Sequence, residues 1–211
     1  MRKIIFLVLF IILSPLSSSH ALTVNELLKE LETPNWREKI TDPLFIERFK
    51  TPEMLSVVIK LADSRGYDWR YRIRAIALLG NIGNNESKEA LLTMFQDHFF
   101  HHECPSLKSY VADALGNFKP ENRLFEILKE GLKDSEVLIR EATARSLGKL
   151  KMEQSVKYLK EAFISEKSLA VKIAIINALK LIGTEEAKSF IKEIALKDDQ
   201  KELLDALGGS L

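Results

Sequence analysis

The sequence has little of what defines several common protein classes. Its 211 residues include a single cysteine, Cys104, so no intrachain disulfide can form and a disulfide-stabilised scaffold is excluded. Aromatic residues make up only 8% of the chain, and the formal net charge is +1. A broad basic surface that recruits nucleic acid or an anionic membrane is therefore not expected. With 9 Gly and 6 Pro, collagen-like and low-complexity chains are also excluded.

Recognisable catalytic motifs are also missing. The sequence contains no Gly-rich phosphate loop, no Gly-x-Ser-x-Gly and no His-Glu-x-x-His. Only one His-Glu pair, His102-Glu103, is present. The sequence therefore predicts a protein that is not an enzyme and that has no cofactor.

The N-terminus has the pattern of an export signal. Arg2 and Lys3 precede an unbroken apolar run from Ile4 to Leu13, and small residues lead to a cleavage position after Ala21. A membrane-spanning helix needs about 20 apolar residues, so this run is too short to be a comfortable anchor. We expect residues 1–21 to be a signal peptide, the mature chain to be periplasmic or secreted, and no stable membrane anchor to remain after cleavage.

A short phrase recurs four times with an almost constant period. Its key leucines are separated by 36, 32 and 32 residues, and they are Leu79, Leu115, Leu147 and Leu179. Apolar residues also recur eight positions before and three positions after each leucine, and the offsets −8, −4, 0 and +3 fall on one face of a helix. A further apolar column, twelve positions after the leucine, lies beyond a break and indicates a second helix. Asp68, Asn85 and Thr184 are expected N-caps. The fold class is therefore all-α.

The clearest copies run from Ile139-Arg140 to Leu147-Gly148 and from Val171-Lys172 to Leu179. This pattern resembles the HEAT-like repeats of the phycobilisome-lyase type. The resemblance implies a right-handed α-solenoid of antiparallel helix pairs, whose concave face usually binds proteins. A minority of such proteins are enzymes or chromophore lyases.

The repeats divide the chain into four parts. Residues 22–67 form N-terminal capping helices and a degenerate repeat, opened by a capping box at Thr23 and by Thr51-Pro52. Residues 68–199 hold four HEAT-like repeats, and residues 200–211 form a C-terminal capping helix. Terminal repeats are expected to be atypical because their outer faces meet water.

One face of the first helices is polar and differs between repeats. Positions two before and two after the key leucine are not constrained to pack, so they suit a partner-binding surface, although a merely solvated face would look the same. The predicted partner-binding residues are Asn81, Asp113, Asn117, Arg145, Lys149 and Asn177.

A basic residue precedes each key leucine by seven positions, giving a ladder of Arg72, Lys108, Arg140 and Lys172. Such a ladder could grip an acidic ligand. We favour a structural role, in which each cation bonds to an acid or a helix end of an adjacent repeat, with Asp68, Asp134 and Glu136 as local candidates. A nearby aromatic and basic cluster, from Trp69 to Arg74, is interpreted as a repeat edge or a protein contact.

An insertion between the first two repeats holds three histidines and the cysteine. His98, His101, His102 and Cys104 are the types of ligand that suit Zn, Cu or Ni. Their spacing matches no established metal motif, and an ordinary loop with Phe99 and Phe100 in the core is the other interpretation. The metal-site residues therefore support only an alternative function.

The sequence predicts an exported, non-catalytic scaffold that binds a protein partner through the variable helix face. One alternative is a metal-binding envelope protein that uses the segment from His98 to Cys104. Another is a lyase or chaperone for a cofactor-bearing protein.

Overall fold

The structure is a computed structural model that describes residues 22–98, 100, 104–196 and 203. Within these residues there are helices and connecting segments but no strand. A 3-10 turn spans Gly131–Lys133, and the helices are α1 (Val24–Leu31), α2 (Trp36–Lys39), α3 (Pro43–Glu47), α4 (Pro52–Asp63), α5 (Trp69–Ile82), α6 (Asn85–Gln96), α7 (Pro105–Leu115), α8 (Asn122–Glu130), α9 (Val137–Leu150), α10 (Ser155–Ser165), α11 (Leu169–Ile182) and α12 (Glu185–Ala195). None of these helices is long and apolar enough to cross a membrane.

Two predicted segments lie wholly or mainly outside the described residues. The predicted signal peptide, 1–21, is one of them. The other is the predicted C-terminal capping helix, 200–211. Leu203 is its one described residue, and Leu203 is helical and buried.

Each predicted repeat is a pair of helices. The first helices, α5, α7, α9 and α11, form one layer, here called the inner row, and the second helices, α6, α8, α10 and α12, form the outer row. The four key leucines are fully buried between the two rows, as the helical periodicity predicts. The predicted fold class, an α-solenoid of paired helices, is confirmed.

Neighbouring helices of the inner row approach each other through small residues. A Cβ atom added to Gly80 would lie 2.9 Å from Ala114 Cβ, and one added to Gly148 would lie 2.6 Å from Ala178 Cα. Gly116 faces Ser146 in the same way, at 2.9 Å. Each glycine follows a key leucine directly, so the Leu-Gly phrase marks the crossing point of adjacent helices.

The outer row is held apart by larger side chains. Phe125 and Tyr158 pack edge to face with ring centroids 5.5 Å apart, and Phe163 and Phe190 do so at 5.7 Å. A stack with one closely spaced and one widely spaced row curves toward the closely spaced one. The inner row therefore lines the concave side of the solenoid.

The fourth repeat breaks the glycine pattern. The position that follows its key leucine holds Lys180, which is exposed, where the three earlier repeats hold Gly80, Gly116 and Gly148. A lysine there cannot make the close helix crossing that a glycine permits. The fourth repeat therefore lacks the small residue that the other three offer to the next inner helix.

The N-terminal helices pack against the first repeat. Thr23 and Glu26 form the expected capping box at α1, whose buried residues Leu27 and Leu31 join the core. Asn81 on α5 donates a hydrogen bond of 2.9 Å to the carbonyl of Ile40, which ties this unit to the first repeat. The expected N-cap of α6 is displaced by one residue, since the side chain of Asn84 rather than Asn85 accepts the bond from the Ser87 amide.

Replacing Gly148 by alanine tests the helix crossing. In an isolated helix this change would favour folding by about 1 kcal/mol, but here the new methyl group overlaps the backbone of Ala178. Overpacking of this kind costs about 1–3 kcal/mol, so we expect a net loss of about 1 kcal/mol in the free energy of unfolding. Chemical denaturation measures it. Gly66→Ala is the control, because its Cβ would meet only Ser64 Oγ at 3.6 Å; equal stability of the two variants would contradict the crossing model.

Candidate functional site

The polar residues of the inner row bond to one another across repeats. Arg145 on α9 donates to both carboxylate oxygens of Asp113 on α7, from Nε at 3.1 Å and from Nη2 at 2.9 Å. Its Nη1 donates to Glu141, one turn earlier on α9. Burial opposes the charge of Arg145 most strongly, but the bonds and charges of the two carboxylates outweigh it and raise its pKa. Arg145 therefore remains positively charged, and the carboxylate of Asp113 on α7 offsets its charge.

The remaining predicted partner-binding residues are more open. Lys149 Nζ donates to Asn117 Oδ1 at 3.4 Å, and both side chains are exposed. Asn177 on α11 is also exposed, whereas Asn81 is half-buried against the N-terminal unit. The six predicted residues thus lie along one concave surface, on or just after the four helices of the inner row, and most of them contact a neighbouring repeat.

A groove runs along the concave surface between α9 and α11, with a volume of about 260 Å³. Glu141, Arg145 and Lys149 form its α9 wall. Its α11 wall is mostly apolar and consists of Ala170, Ile173, Ala174, Asn177, Ala178 and Leu181. We refer to it below as the α9–α11 groove.

The basic ladder lies at the edge of the stack, where it joins neighbouring elements. Arg72 is only 2% exposed; its Nε donates to the carbonyl of Ala62 at 3.1 Å, and its guanidinium lies 5.0 Å from the Phe100 ring centroid. Lys108 pairs with Asp134 at 3.0 Å, and both side chains are mostly buried. The Lys172 ammonium lies 5.3 Å from the Phe163 ring centroid.

Arg140 makes the most extensive contacts of the ladder. Its Nε and Nη2 donate to the two carboxylate oxygens of Glu166 at 2.7 and 3.0 Å, and its Nη1 donates to the carbonyls of Asp134 and Ser135 at 2.9 Å. The bond from Arg140 is the largest cause that lowers the pKa of Glu166, and the amides of Ser168 and Lys167 lower it further. The four cations that the sequence places in one column therefore contact different kinds of partner in the structure.

Next to this ion pair is a cleft of about 420 Å³ between successive outer helices. Its lining includes Lys129, Asp134, Arg140, Tyr158 and Glu166. Most of its charged groups already pair with one another or with adjacent residues, such as Lys129 with Glu126. The cleft follows from the wider spacing of the outer row.

The aromatic and basic cluster at the first repeat forms a recess of about 400 Å³. Arg74 lies 5.5 Å from the Trp36 ring centroid and 5.3 Å from that of Tyr71. The Tyr71 hydroxyl donates to Glu32 at 2.8 Å, a bond that raises the pKa of the phenol. Trp69 stacks on Arg70 instead of on Arg74. The recess lies where α5 contacts the segment that follows α1, at the edge of the first repeat.

The candidate metal site is only partly described. His101 and His102 lie outside the described residues, and so does Phe99. His98 is exposed just after α6, Phe100 is buried, and Cys104 is half-buried at the N-cap of α7. Within the described part of the chain, no three side chains of the types that bind metals come together.

Sequence reasoning missed the apolar wall of the α9–α11 groove. Leu181 occupies the same column as Asn81, Asn117 and Lys149, so the signal was a leucine in an otherwise polar column. Leu181 stands in an apolar stretch with Leu179 and Ile182, so its sequence context does not indicate that its side chain is 50% exposed. Glu166, the partner of Arg140, was missed because it lies in a loop outside the repeat columns.

The Glu166–Arg140 pair predicts a dependence of stability on pH. The pKa of Glu166 is lowered from 4.5 in the folded state, so its stabilisation is complete above about pH 5 and is lost as the pH falls through the folded-state value. We expect Glu166→Gln to lower the free energy of unfolding by about 2 kcal/mol at neutral pH, and the difference from the wild type to shrink toward pH 3. Urea denaturation across this range measures it, with the exposed carboxylate variant Glu153→Gln as the control. A difference that does not change with pH would contradict the assignment.

Comparison with known proteins supports the repeat architecture. A family model described as HEAT repeats matches residues 97–169. No match was found among curated protein sequences. A similar solved structure is the complex of CpcE and CpcF of phycocyanin lyase from Nostoc sp. PCC7120, with a TM-score of 0.53, 16% identity, and coverage of 88% of this chain and 74% of that one.

Two further structures match with lower scores. Human deoxyhypusine hydroxylase in complex with glycerol has a TM-score of 0.44 and 15% identity, covering 87% of this chain and 81% of that one. Computationally designed armadillo repeat proteins for modular peptide recognition have a TM-score of 0.46 and 16% identity, covering 88% and 87%. The family match covers residues 97–169, and the paired-helix architecture is that of an α-solenoid.

Proposed function

We propose that the protein is an exported, non-catalytic scaffold that binds a segment of a partner protein on its inner helix row. The observation that carries this proposal is the construction of that row. Its backbone is fixed by close crossings at Gly80, Gly116 and Gly148, while the side chains beside the crossings differ from repeat to repeat. A rigid backbone with varied side chains is suited to recognising one particular partner. The similar structure of CpcE and CpcF is itself a complex of two proteins, in keeping with a protein partner.

The carboxylates whose pKa values are shifted belong to ion pairs with neighbouring cations. The pKa values of Glu30, Glu89, Glu166 and Glu185 are all lowered, in each case mainly by a hydrogen bond from a neighbouring cation. A general acid or base instead needs a pKa moved toward the working pH. These carboxylates are held as permanent anions, which suits structural ion pairs. The proposal includes no cofactor.

Export is tested by following the N-terminus. We expect the full chain, expressed in a bacterial host, to reach the periplasmic fraction and to begin at Leu22, because small residues precede the bond after Ala21. Osmotic-shock fractionation and intact mass spectrometry measure both. Ala21→Phe is the control and should accumulate uncleaved. A chain of full mass in the cytosolic fraction would overturn the export proposal.

Partner binding is tested by reversing charge on the inner row. Arg145 is unsuitable for this purpose. The variant Arg145→Glu would place a new carboxylate beside those of Asp113 and Glu141, so that three like charges would repel one another. The double variant Lys149→Glu, Asn177→Glu changes two exposed side chains instead. We expect it to lose a partner that the wild type captures from an envelope extract, whether or not a chelator is added.

The matched control places the same charges on the outer row. Lys192→Glu, Ser189→Glu changes two exposed residues of α12 and should capture the partner as the wild type does. Equal capture by all three proteins, or no discrete partner, would overturn the proposal. Capture that a chelator abolishes would instead favour the segment from His98 to Cys104.

A further inference from the structure

The two walls of the α9–α11 groove have opposite character. The α9 wall carries the charged side chains Glu141, Arg145 and Lys149. On the α11 wall, Ile173 and Leu181 provide apolar surface, and Leu181 is 50% exposed. A contiguous apolar surface bordered by charged side chains is typical of a binding groove.

The asymmetry arises because the residues that face the α9 side chains change in character at α11. Between α7 and α9, Asp113 faces Arg145 and Asn117 faces Lys149. At the next step the corresponding residues of α11 are Asn177 and Leu181. The repeat thus places no acidic residue where α11 would offset the cations of α9.

The charges of the groove favour an acidic group on its occupant. Asp113 and Glu141 already pair with Arg145. Lys149 is different, because its ammonium is exposed and donates one long bond of 3.4 Å to the neutral amide of Asn117. A carboxylate at this end of the groove would make a charge-assisted bond to Lys149.

The size of the groove points to a peptide segment. Pockets for small-molecule ligands usually hold about 300–1,000 Å³, and this groove, at about 260 Å³, lies below that range. From Glu141 to Lys149 the α9 wall extends over two helical turns, or about 12 Å. An extended segment of about four residues spans this length, since each residue advances about 3.3 Å.

We infer that the α9–α11 groove binds a short extended segment of a partner protein, with a large apolar side chain against Ile173 and Leu181 and a carboxylate beside Lys149. This inference rests on the proposed scaffold function and specifies the chemistry of the partner. Burial of the apolar side chain supplies most of the affinity, and the carboxylate sets the direction in which the segment lies.

A selection from random peptides tests the inference directly. The purified protein is used to select from a phage library of random dodecapeptides, and the enriched peptides are synthesised for fluorescence polarisation. We expect them to share an acidic residue a few positions from Leu, Ile, Met or Phe. Leu181→Asp should weaken their binding by about tenfold or more, and Lys149→Glu by about two- to fivefold.

A charge swap separates direct contact from a loss of folding. A peptide whose acid is changed to lysine should bind Lys149→Glu more tightly than it binds the wild type, which an unfolded variant cannot reproduce. The matched control is Ile164→Asp on α10, an apolar residue 77% exposed on the outer row, which should bind the peptides normally. Leu181→Ser is a milder second variant in case the aspartate disturbs folding.

The outcomes distinguish this inference from the proposed function. Peptides without the acidic and apolar pattern, or peptides that bind Leu181→Asp as tightly as the wild type, overturn the inference. If such peptides instead lose binding to Asn117→Arg, at the α7–α9 junction, the inner row still binds peptides and the scaffold function stands. Peptides insensitive to every inner-row variant, or no enrichment at all, would contradict both.

Discussion

The close approach of neighbouring inner helices is the constraint on which the rest of the structure depends. At each crossing a glycine meets the backbone of an alanine or a serine, and no larger side chain fits. This contact sets the spacing of the inner row and, with the aromatic pairs between outer helices, the direction in which the stack curves. It also determines which side chains face each other across a repeat boundary. Asp113 reaches Arg145 because the helices that carry them lie so close together.

Two kinds of polar contact follow from this spacing, and they serve different purposes. At the edge of the stack, mostly buried pairs such as Lys108–Asp134 and Arg140–Glu166 bind the first helix of one repeat to a loop of the next. Removing one partner of such a pair is costly, because the other charge remains buried. On the concave surface, the pair Arg145–Asp113 and the contact from Lys149 to Asn117 remain accessible to solvent. The edge contacts therefore stabilise the stack, whereas the concave surface can be altered at lower cost.

The helix pairs could be predicted from the sequence because each repeat must bury the same apolar face, so the leucines recur with the period of the repeat. Leu79, Leu115, Leu147 and Leu179 are buried where the periodicity places them. The partners of the basic column could not be derived in the same way. Asp134, one of the candidate acids, pairs with Lys108 of the ladder, although it lies closer in sequence to Arg140. Arg72 uses a backbone carbonyl and an aromatic ring, neither of which leaves a recognisable pattern in the sequence. The groove was missed because the exposure of Leu181 depends on its tertiary surroundings.

Lys180 has a consequence for how a chain of this kind can change in length. Duplication of a helix pair is the simplest way for a repeat protein to grow, and every new pair must meet a small residue on the helix before it. The first three repeats offer that residue at Gly80, Gly116 and Gly148, whereas the fourth offers a lysine. A copied pair could therefore be accepted after any of the first three repeats, whereas a pair copied after the fourth would meet Lys180 in place of a glycine. The α9–α11 groove lies between the third and fourth repeats, so duplication among the first two would leave it unchanged.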